Sequence, residues 1–228
     1  MQPTGPRPAA VQPATLGPAL ALLELDSIAA GIEAGDAMAK RAPIDVLRAG
    51  TVHPGKYLVL VAGTVGDVEE ALAAGREVGA SSVLDVVFLP NVHPGVVAAI
   101  GGARREAPGE APGEALGVIE TWTVAAIIEA ADAGLKGARV RLLELRLADD
   151  LGGKGYLLFD GPVAEVEAAV EIGSGRIAGS PGVMQRVIPR LHAEMAENLG
   201  ADPRFAERVR RGGKADGPGA TGSPGERR

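Results

Sequence analysis

The chain has 228 residues, and its 29 acidic and 23 basic side chains give a formal net charge of −6 at pH 7. Because no basic block is long enough to hold a phosphate backbone, we expect no nucleic-acid partner. The absence of cysteine excludes disulfides, thiolate metal sites and cysteine nucleophiles. No apolar run reaches the roughly 18 residues of a membrane span, and the first residues lack an apolar signal core. We therefore expect a cytoplasmic protein with no membrane partner.

The first half of the chain predicts four strands and three helices. Residues 1–17 are rich in proline and alanine without periodicity, so we expect a disordered amino terminus. Short apolar runs bounded by turn residues predict strands at 19–25, 44–52, 57–62 and 83–89. Helical spacing predicts helices at 28–42, 65–78 and 94–100. Between the second and third strands, His53-Pro54-Gly55 is typical of a tight turn, because Pro and Gly supply the fixed and positive φ angles that it needs.

The same order of elements returns in the second half. Strands are predicted at 115–121, 140–147, 156–159 and 183–188, and helices at 124–136, 162–173 and 189–199. Thr123 is expected to cap the first of these helices, and Pro162 to be the first residue of the second. The glycine- and proline-rich segment 104–113 predicts a linker, and the charged segment 204–228 predicts a disordered tail.

Each half therefore runs strand–helix–strand–strand–helix–strand, with a short helix at its end. This is the split βαβ, or ferredoxin-like, order of elements. We expect an α+β fold, an α/β sandwich made of two tandem domains at residues 18–103 and 114–203.

Two motifs occur once in each half, which indicates an internal duplication. Asp-Ala-x-x-Lys stands at 36–40 and again at 132–136, 96 residues later. Gly-x-Val-x-x-Val-Glu-x-Ala stands at 63–71 and again at 161–169, 98 residues later. The change in spacing from 96 to 98 residues predicts one short loop insertion between the two motifs.

Two further stretches complete the pattern: Ala-Leu-Gly-Val-Ile-Glu-Thr at 115–121, and Pro189-Arg190-Leu191-His192. On these motifs each half resembles a bacterial microcompartment (BMC) shell domain, over roughly residues 19–195. The whole chain resembles an unpermuted tandem-domain shell protein of the BMC-T type. The resemblance implies a structural protein rather than an enzyme. It further implies a homotrimeric pseudohexamer that assembles with hexameric and pentameric shell proteins in the shell of a microcompartment.

The resemblance also assigns roles at the edge of the tile. Lys40 and Lys136 stand where the family has its edge lysine, whose methylene stem can lie along the neighbouring tile. Arg190 matches the family's edge arginine. Asn91 takes the place of that arginine in the first half, so this edge is expected to pair differently or more weakly. The simpler alternative for each lysine is a solvated side chain near a helix end, but the matched motifs favour edge contacts.

The turn between the second and third strands of each domain is where the family builds its central pore. The resemblance implies that a metabolite, an ion or an electron passes between the residues of these two turns. The residues are Val52, His53, Pro54, Gly55, Asp149, Asp150, Leu151 and Gly152. The two aspartates would give the opening an acidic character, or would simply form an ordinary polar turn.

The segment around His53 is similar to tandem members that carry cysteine at this position, some of which hold an iron–sulfur cluster. Without cysteine such a cluster cannot be bound by thiolates, so we expect no cofactor. Three His53 imidazoles around an axis would be able to bind a divalent metal or an anion, or to gate the opening with pH. We favour the simpler interpretation, in which His53 lines or narrows the aperture.

Other features favour structural roles or leave alternatives open. His93 and His192 lie at equivalent places, 99 residues apart, which favours a shared structural role over catalysis or metal binding. Trp122, the only tryptophan, is expected to pack rather than to bind a ligand. The alternative functions are a small-molecule-sensing regulator built from tandem ferredoxin-like domains and, less favoured, an enzyme with a ligand cleft between the halves.

Overall fold

The computed structural model describes residues 17–101 and 113–200. The predicted terminal segments and the predicted linker lie outside these ranges, except for residues 17 and 113. The chain forms two compact units, residues 1–190 and 191–228. The first unit contains both sheets, and the last described helix belongs to the second. Within the described ranges, no helix has the length and apolar character that crossing a bilayer requires.

The helices and strands follow the predicted order. The elements of the first domain are β1 (Ala19–Leu25), α1 (Ile28–Arg41), β2 (Val46–Val52), β3 (Lys56–Gly63), α2 (Val65–Gly79), β4 (Val83–Leu89) and α3 (Pro94–Ile100). The elements of the second half of the chain are β5 (Ala115–Thr121), α4 (Val124–Gly137), β6 (Arg141–Leu147), β7 (Gly155–Gly161), α5 (Val163–Arg176), β8 (Met184–Pro189) and α6 (Ala193–Gly200).

Each domain forms one antiparallel sheet of four strands. The strand orders are β2-β3-β1-β4 in the first domain and β6-β7-β5-β8 in the second. The first strand of each domain therefore lies inside its sheet, between the third and the fourth strand. Two helices of each domain, α1 with α2 and α4 with α5, pack together and against their sheet. This topology confirms the predicted α+β, ferredoxin-like fold.

Two predictions about proline are wrong. Pro162 is not the first residue of α5 but the extended residue before it (φ −61°, ψ 146°), and α5 ends at Arg176, three residues later than predicted. Pro189 ends β8 instead of opening a helix, and α6 begins at Ala193. The φ angle of proline fits both the first helical turn and an extended segment, so proline alone does not fix where a helix begins.

Alternate residues of β1 face two different cores. Ala19, Ala21, Leu23 and Leu25 pack with α1 and α2 in a core that lies within the first domain. Leu20 and Leu22 belong to a larger cluster that includes α4 and the strands of the second domain. Because side chains alternate between the two faces of a strand, β1 needs apolar residues on both. The second domain therefore covers the face of the first sheet that is turned away from α1 and α2.

The two domains fill one equivalent space in opposite ways. Gly31 of α1 lies against Tyr57 of β3, and a Cβ atom added to Gly31 would be 2.4 Å from Tyr57 Cδ1. At the equivalent positions of the second domain, Ile127 of α4 lies against Gly155 of β7, and an added Cβ would be 2.4 Å from Ile127 Cγ2. The large and the small partner have exchanged helix and strand. This exchange keeps the packed volume filled without overlap.

The loop insertion lies in the turn between β6 and β7. Thr51 pairs with Tyr57 in the first sheet, and Leu147 pairs with Gly155 in the second. Five residues, 52–56, separate the first pair, whereas seven residues, 148–154, separate the second. The predicted insertion is confirmed, and it falls in one of the two turns that were assigned to the pore.

Candidate functional site at the junction of the two domains

Glu24 is the centre of the junction between the two domains. It lies on the face of β1 that the second domain covers, and it is fully buried. Its Oε1 atom accepts a hydrogen bond from Lys56 Nζ at 2.7 Å. Its Oε2 atom accepts hydrogen bonds from the backbone amides of Val124 at 2.7 Å and Ala125 at 3.3 Å. The buried charge is therefore balanced by an ammonium group and by the amino-terminal end of α4, whose unpaired amides favour a negative charge.

The cap of α4 comes from the other domain, contrary to the prediction for Thr123. The Thr123 side chain makes no capping hydrogen bond, and its hydroxyl donates instead to Asp85 Oδ2 of β4 at 2.5 Å. Helix α1 differs, because Ser27 Oγ caps it locally by accepting from the amide of Ala30 at 3.3 Å. A threonine before a helical segment thus indicated the helix start correctly. The pattern could not show that a residue of the first domain would supply the cap.

Lys56 connects this junction to the two turns that were assigned to the pore. Besides its ion pair, the Lys56 ammonium donates to the carbonyl oxygens of Trp122 at 2.8 Å and Gly153 at 3.2 Å. Gly153 has a φ of +84°, which favours glycine, and a Cβ atom there would lie 2.8 Å from Pro54 Cδ. Only glycine therefore allows the β2–β3 turn and the β6–β7 turn to lie in direct contact.

Most residues of these two turns are exposed in a single chain. His53, Pro54, Gly55, Asp149, Asp150 and Gly152 are exposed, and Val52 and Leu151 are half-buried. Among the described residues of one chain, no group of three histidine or acidic side chains could hold a metal ion. A metal at His53 would therefore need the histidines of further copies. Pore lining and metal binding at these turns stay predictions.

A second cluster at the junction contains two of the predicted edge residues. Asp132 is 5% exposed, and its carboxylate accepts from the amide of His93 at 2.8 Å and from Lys136 Nζ at 2.5 Å. Lys136 Nζ also donates to the carbonyl oxygen of Asn91 at 2.5 Å. Asn91 and Lys136 therefore lie side by side. Because 42% of the Lys136 side chain is exposed, its contact with a neighbouring tile stays a prediction.

The other two predicted edge residues, Lys40 and Arg190, have other hydrogen-bond partners. Lys40 occupies the position of α1 that Lys136 occupies in α4, and its side chain, 75% exposed, pairs with Asp36 at 2.5 Å. Arg190 is exposed with a φ of +53°, and its amide donates to the carbonyl oxygen of Glu114 at 2.8 Å. In the described part of one chain, no hydrogen bond joins Lys40 to Arg190.

His93 and Trp122 make structural contacts. His93 Nδ1 accepts from the amide of Gly95 at 3.0 Å and so caps α3, whereas the structural role that His93 and His192 were expected to share stays a prediction. The Trp122 ring lies so close to Gly182 that a Cβ atom there would overlap the indole. Lys154 Nζ lies 5.2 Å from the centre of the same ring, within cation–π distance. The Trp122 side chain is nevertheless 52% exposed, so the expectation that it packs rather than binds a ligand stays a prediction.

One face of α1 is open where the same face of α4 is covered. Val124 and Ile128 are fully buried, because β1 and β4 of the first domain pack against α4. Their equivalents 96 residues earlier are Ile28 and Ile32, which are 43% and 57% exposed. Ile28 and Ile32 are four residues apart and therefore lie on the same exposed face of α1.

The second sheet has the matching open face. Glu120 of β5 binds Lys154 at 2.7 Å, as its counterpart in β1 binds Lys56, but the two side chains are 40% and 38% exposed. Met184 of β8 pairs with Glu120 and shares its face, and so does Ile188, four residues further on. These two residues are 54% and 38% exposed. Each side of the buried junction therefore occurs a second time with its central residues partly exposed, although Leu116 and Leu158 on the Glu120 face of the sheet are only 5% exposed.

The motifs of the sequence did not single out Glu24 and Lys56, although a signal for both was present. Glu24 and Glu120 are 96 residues apart, and Lys56 and Lys154 are 98 residues apart, the same spacings as the two repeated motifs. A residue-by-residue comparison of the two halves would have singled out both pairs. Nothing in the sequence, however, shows that one pair is buried and the other is not.

Comparisons with known proteins agree with this architecture. The BMC domain family matches residues 19–92 and 115–191. The bacterial microcompartment shell protein PduT of Citrobacter freundii is 41% identical over 179 residues, which are 78% of this chain and 95% of PduT. The crystal structure of a microcompartment protein from Desulfitobacterium hafniense DCB is 41% identical, with a TM-score of 0.65, over 78% of this chain and 98% of that one. The microcompartment shell protein EutM of Salmonella typhimurium is 40% identical over 86 residues, 36% of this chain and 85% of EutM.

The alternative of a small-molecule-sensing regulator finds no support in these similarities. The match to EutM has about the length of one domain, whereas the match to PduT has the length of both. The chain belongs to the BMC-domain family, as a bacterial microcompartment shell protein with two BMC domains in tandem.

Proposed function

We propose that three copies of the chain close head-to-tail into a pseudohexagonal tile of a microcompartment shell, with a structural and not a catalytic role. One observation carries the proposal: the two surfaces that are joined inside the chain both occur again, with their central residues partly exposed. One is the face of α1 with Ile28 and Ile32, and the other is the face of the second sheet around Glu120. Contacts between unlike surfaces can repeat from copy to copy, and they form a ring when the rotation closes.

The number of copies follows from the number of domains. Each chain contributes two similar domains, so a ring of six domains contains three chains. Junctions inside a chain then alternate with junctions between chains around the ring. The pseudohexagonal plan expected from the family resemblance supports this closure.

The two turns in contact at the junction border an opening on the axis of the ring, through which a small metabolite, an ion or an electron passes. The contact of Pro54 with Gly153 supports this role, because each junction would bring two such turns together. His53 lines the opening without a metal or another cofactor. Asp149 and Asp150 of three chains add six carboxylates, and rings of carboxylates favour cations over anions.

The rim of the tile contacts other tiles, including hexameric and pentameric shell proteins, within a microcompartment in the cytoplasm. The exposure of Lys40 and Arg190, and the partial exposure of Lys136, support a role of these residues at the rim. The backbone carbonyl of Asn91 accepts a hydrogen bond from Lys136. The edge that carries Asn91 therefore presents a different surface from the edge that carries Arg190. The similarity to PduT and EutM supports the shell as the place of assembly.

The mass of the purified protein in solution tests the trimer. We expect three times the chain mass of 23.1 kDa, and flat sheets in electron micrographs at high protein concentration. A monomer or a dimer at all concentrations would contradict the proposal. Metal analysis of the same sample after loading with Zn²⁺ should show no stoichiometric metal. One metal per trimer that disappears in His53→Ala would instead make His53 a ligand on the axis.

A further inference from the structure

We propose that Glu120 and Lys154 bind the amino-terminal end of α1 in the next copy of the chain; this inference rests on the trimer proposed above. The Glu120 carboxylate accepts hydrogen bonds from the amides of Ile28 and Ala29 of that copy. Lys154 donates to the backbone carbonyl of its Asp26 and to the β2–β3 turn. The pair thus forms the polar centre of the contact between subunits.

The two Glu–Lys pairs occupy the same place in their domains. Glu24 and Glu120 are each the next-to-last residue of the central strand that begins the domain. Lys56 is the first residue of β3, and Lys154 immediately precedes β7. Both ion pairs have an N–O distance of 2.7 Å. The second pair is therefore already arranged as the first pair is, but no helix end among the described residues lies in front of it.

The start of α1 offers what the buried glutamate binds at the start of α4. Ile28 and Ala29 stand where Val124 and Ala125 stand in α4, and both are exposed. The amides of a first helical turn have no partner within the helix, and the positive end of the helix dipole favours a carboxylate. Ser27 caps the third helical residue, so the local cap leaves these first two amides to another acceptor.

Apolar side chains flank the polar centre on both surfaces. Met184 and Ile188 lie on the sheet face that carries Glu120, and Ile28 and Ile32 lie on the helix face. In the covered junction the same helix positions are buried against β1 and β4. A second copy of this chain is the occupant that this arrangement specifies, because it supplies the helix start and the apolar stripe together.

The contact between copies differs from the contact within the chain at one position. The carbonyl that Lys56 binds belongs to Trp122, and the equivalent residue is Asp26, which is exposed. Asp26 adds a carboxylate where Lys154 of the neighbouring copy docks. The contact between copies is therefore more ionic, and salt weakens it more than the contact within the chain.

Charge reversal at Glu120 tests the inference in the full chain. Glu120→Lys should raise the dissociation constant of the trimer by about 100-fold, because an ammonium group then faces the positive end of α1. Glu69→Lys makes the same change in charge at an exposed site of α2 and serves as the matched control. Analytical ultracentrifugation over a dilution series gives the dissociation constants, and circular dichroism reports whether each variant is folded.

A charge swap separates the contact between copies from a simple ion pair within the domain. Glu120→Lys combined with Lys154→Glu restores the internal ion pair but still presents an ammonium group to the next helix start. We expect this double variant to stay dissociated. A trimer as stable as that of Glu69→Lys, in either the single or the swapped variant, overturns the inference and leaves the tile intact.

The wild-type protein offers a second measurement that does not depend on variants. Its trimer should dissociate as NaCl is raised to 1 M, while the chain itself stays folded. A trimer that is insensitive to salt contradicts the ionic centre, and a wild-type chain that never forms a trimer removes the proposed tile together with this inference.

Discussion

Helices α1 and α4 carry the same motif and have the same length of 14 residues, yet they have different surroundings. Nine residues of α4 are buried, against four of α1. The first domain packs against α4 through β1 and β4, and no described element takes that place against α1. The difference shows that the burial of this helix face depends on a neighbouring domain and not on the helix's own domain.

The polar groups of the two domains show the same difference. Glu24 and Lys56 are 0% and 17% exposed, whereas Glu120 and Lys154 are 40% and 38% exposed. Because the geometry of the pair is the same in both places, burial of the carboxylate is a result of the junction and not of the domain. The covered junction is thus the model for the contact between copies that we propose.

The largest difference in the effect on folding is expected between Ile128→Asp and Ile32→Asp. These variants place a charge at equivalent positions of α4 and α1. A carboxylate at position 128 would be buried without a partner, which costs about 5 kcal/mol or more and should prevent folding. The Ile32→Asp variant should fold, with a free energy of unfolding within about 0.5 kcal/mol of the wild-type value, but it should not form trimers. Circular dichroism and ultracentrifugation measure the two outcomes. A folded Ile128→Asp protein would show that the equivalent faces of α1 and α4 do not differ in burial.

The exchange of large and small residues between the domains predicts the second largest difference, which is a difference in stability between a single and a double variant. Gly31→Ile should destabilise the chain by about 3 kcal/mol, because the new side chain would overlap Tyr57. Adding Tyr57→Gly reproduces the arrangement of the second domain and should restore much of that loss. Denaturant unfolding of both single variants and the double variant gives the coupling energy. Additive losses would mean that the two positions do not share one space.

The smallest contrast is expected between two aspartates of the repeated motif. Asp132→Ala should lower the free energy of unfolding by about 2 kcal/mol, because it leaves the part-buried amide of His93 without its acceptor and removes an ion pair. Asp36→Ala removes a pair whose side chains are 57% and 75% exposed, so its effect should be about 0.5 kcal/mol or less. Unfolding midpoints at one chain concentration compare the two. Equal effects would show that the junction does not strengthen the Asp132 contacts.

Local patterns were sufficient to predict the order of the elements. The apolar runs predicted the strands and the helical spacing predicted the helices, and the structure shows that Ser27 and Thr64 cap α1 and α2 through local hydrogen bonds. The Pro-Gly turn is present, with Gly55 at a φ of +106°. These features depend on residues within one helical turn or one hairpin, so a single sequence contains all the information that they need.

The sites that depend on distant residues were predicted less well. Thr123 was expected to cap α4, but the cap is a carboxylate 100 residues away in the chain. Lys136 was assigned to the edge without its hydrogen bond to the backbone of Asn91, 45 residues away. Such contacts follow from the packing of one domain on another, and no spacing rule relates the residues that meet.

The sequence by itself determined that this protein contains two ferredoxin-like domains of one family, because the repeated motifs and the periodicity of each half are local properties. Only the tertiary structure decided which of two equivalent surfaces is buried and which is open. The physical reason is that burial depends on which domain packs against a surface: among the described residues, β1 and β4 of the first domain cover α4, whereas no strand of the other domain covers the same face of α1. Equivalent residues therefore stabilise the fold at one position and stay exposed at the other.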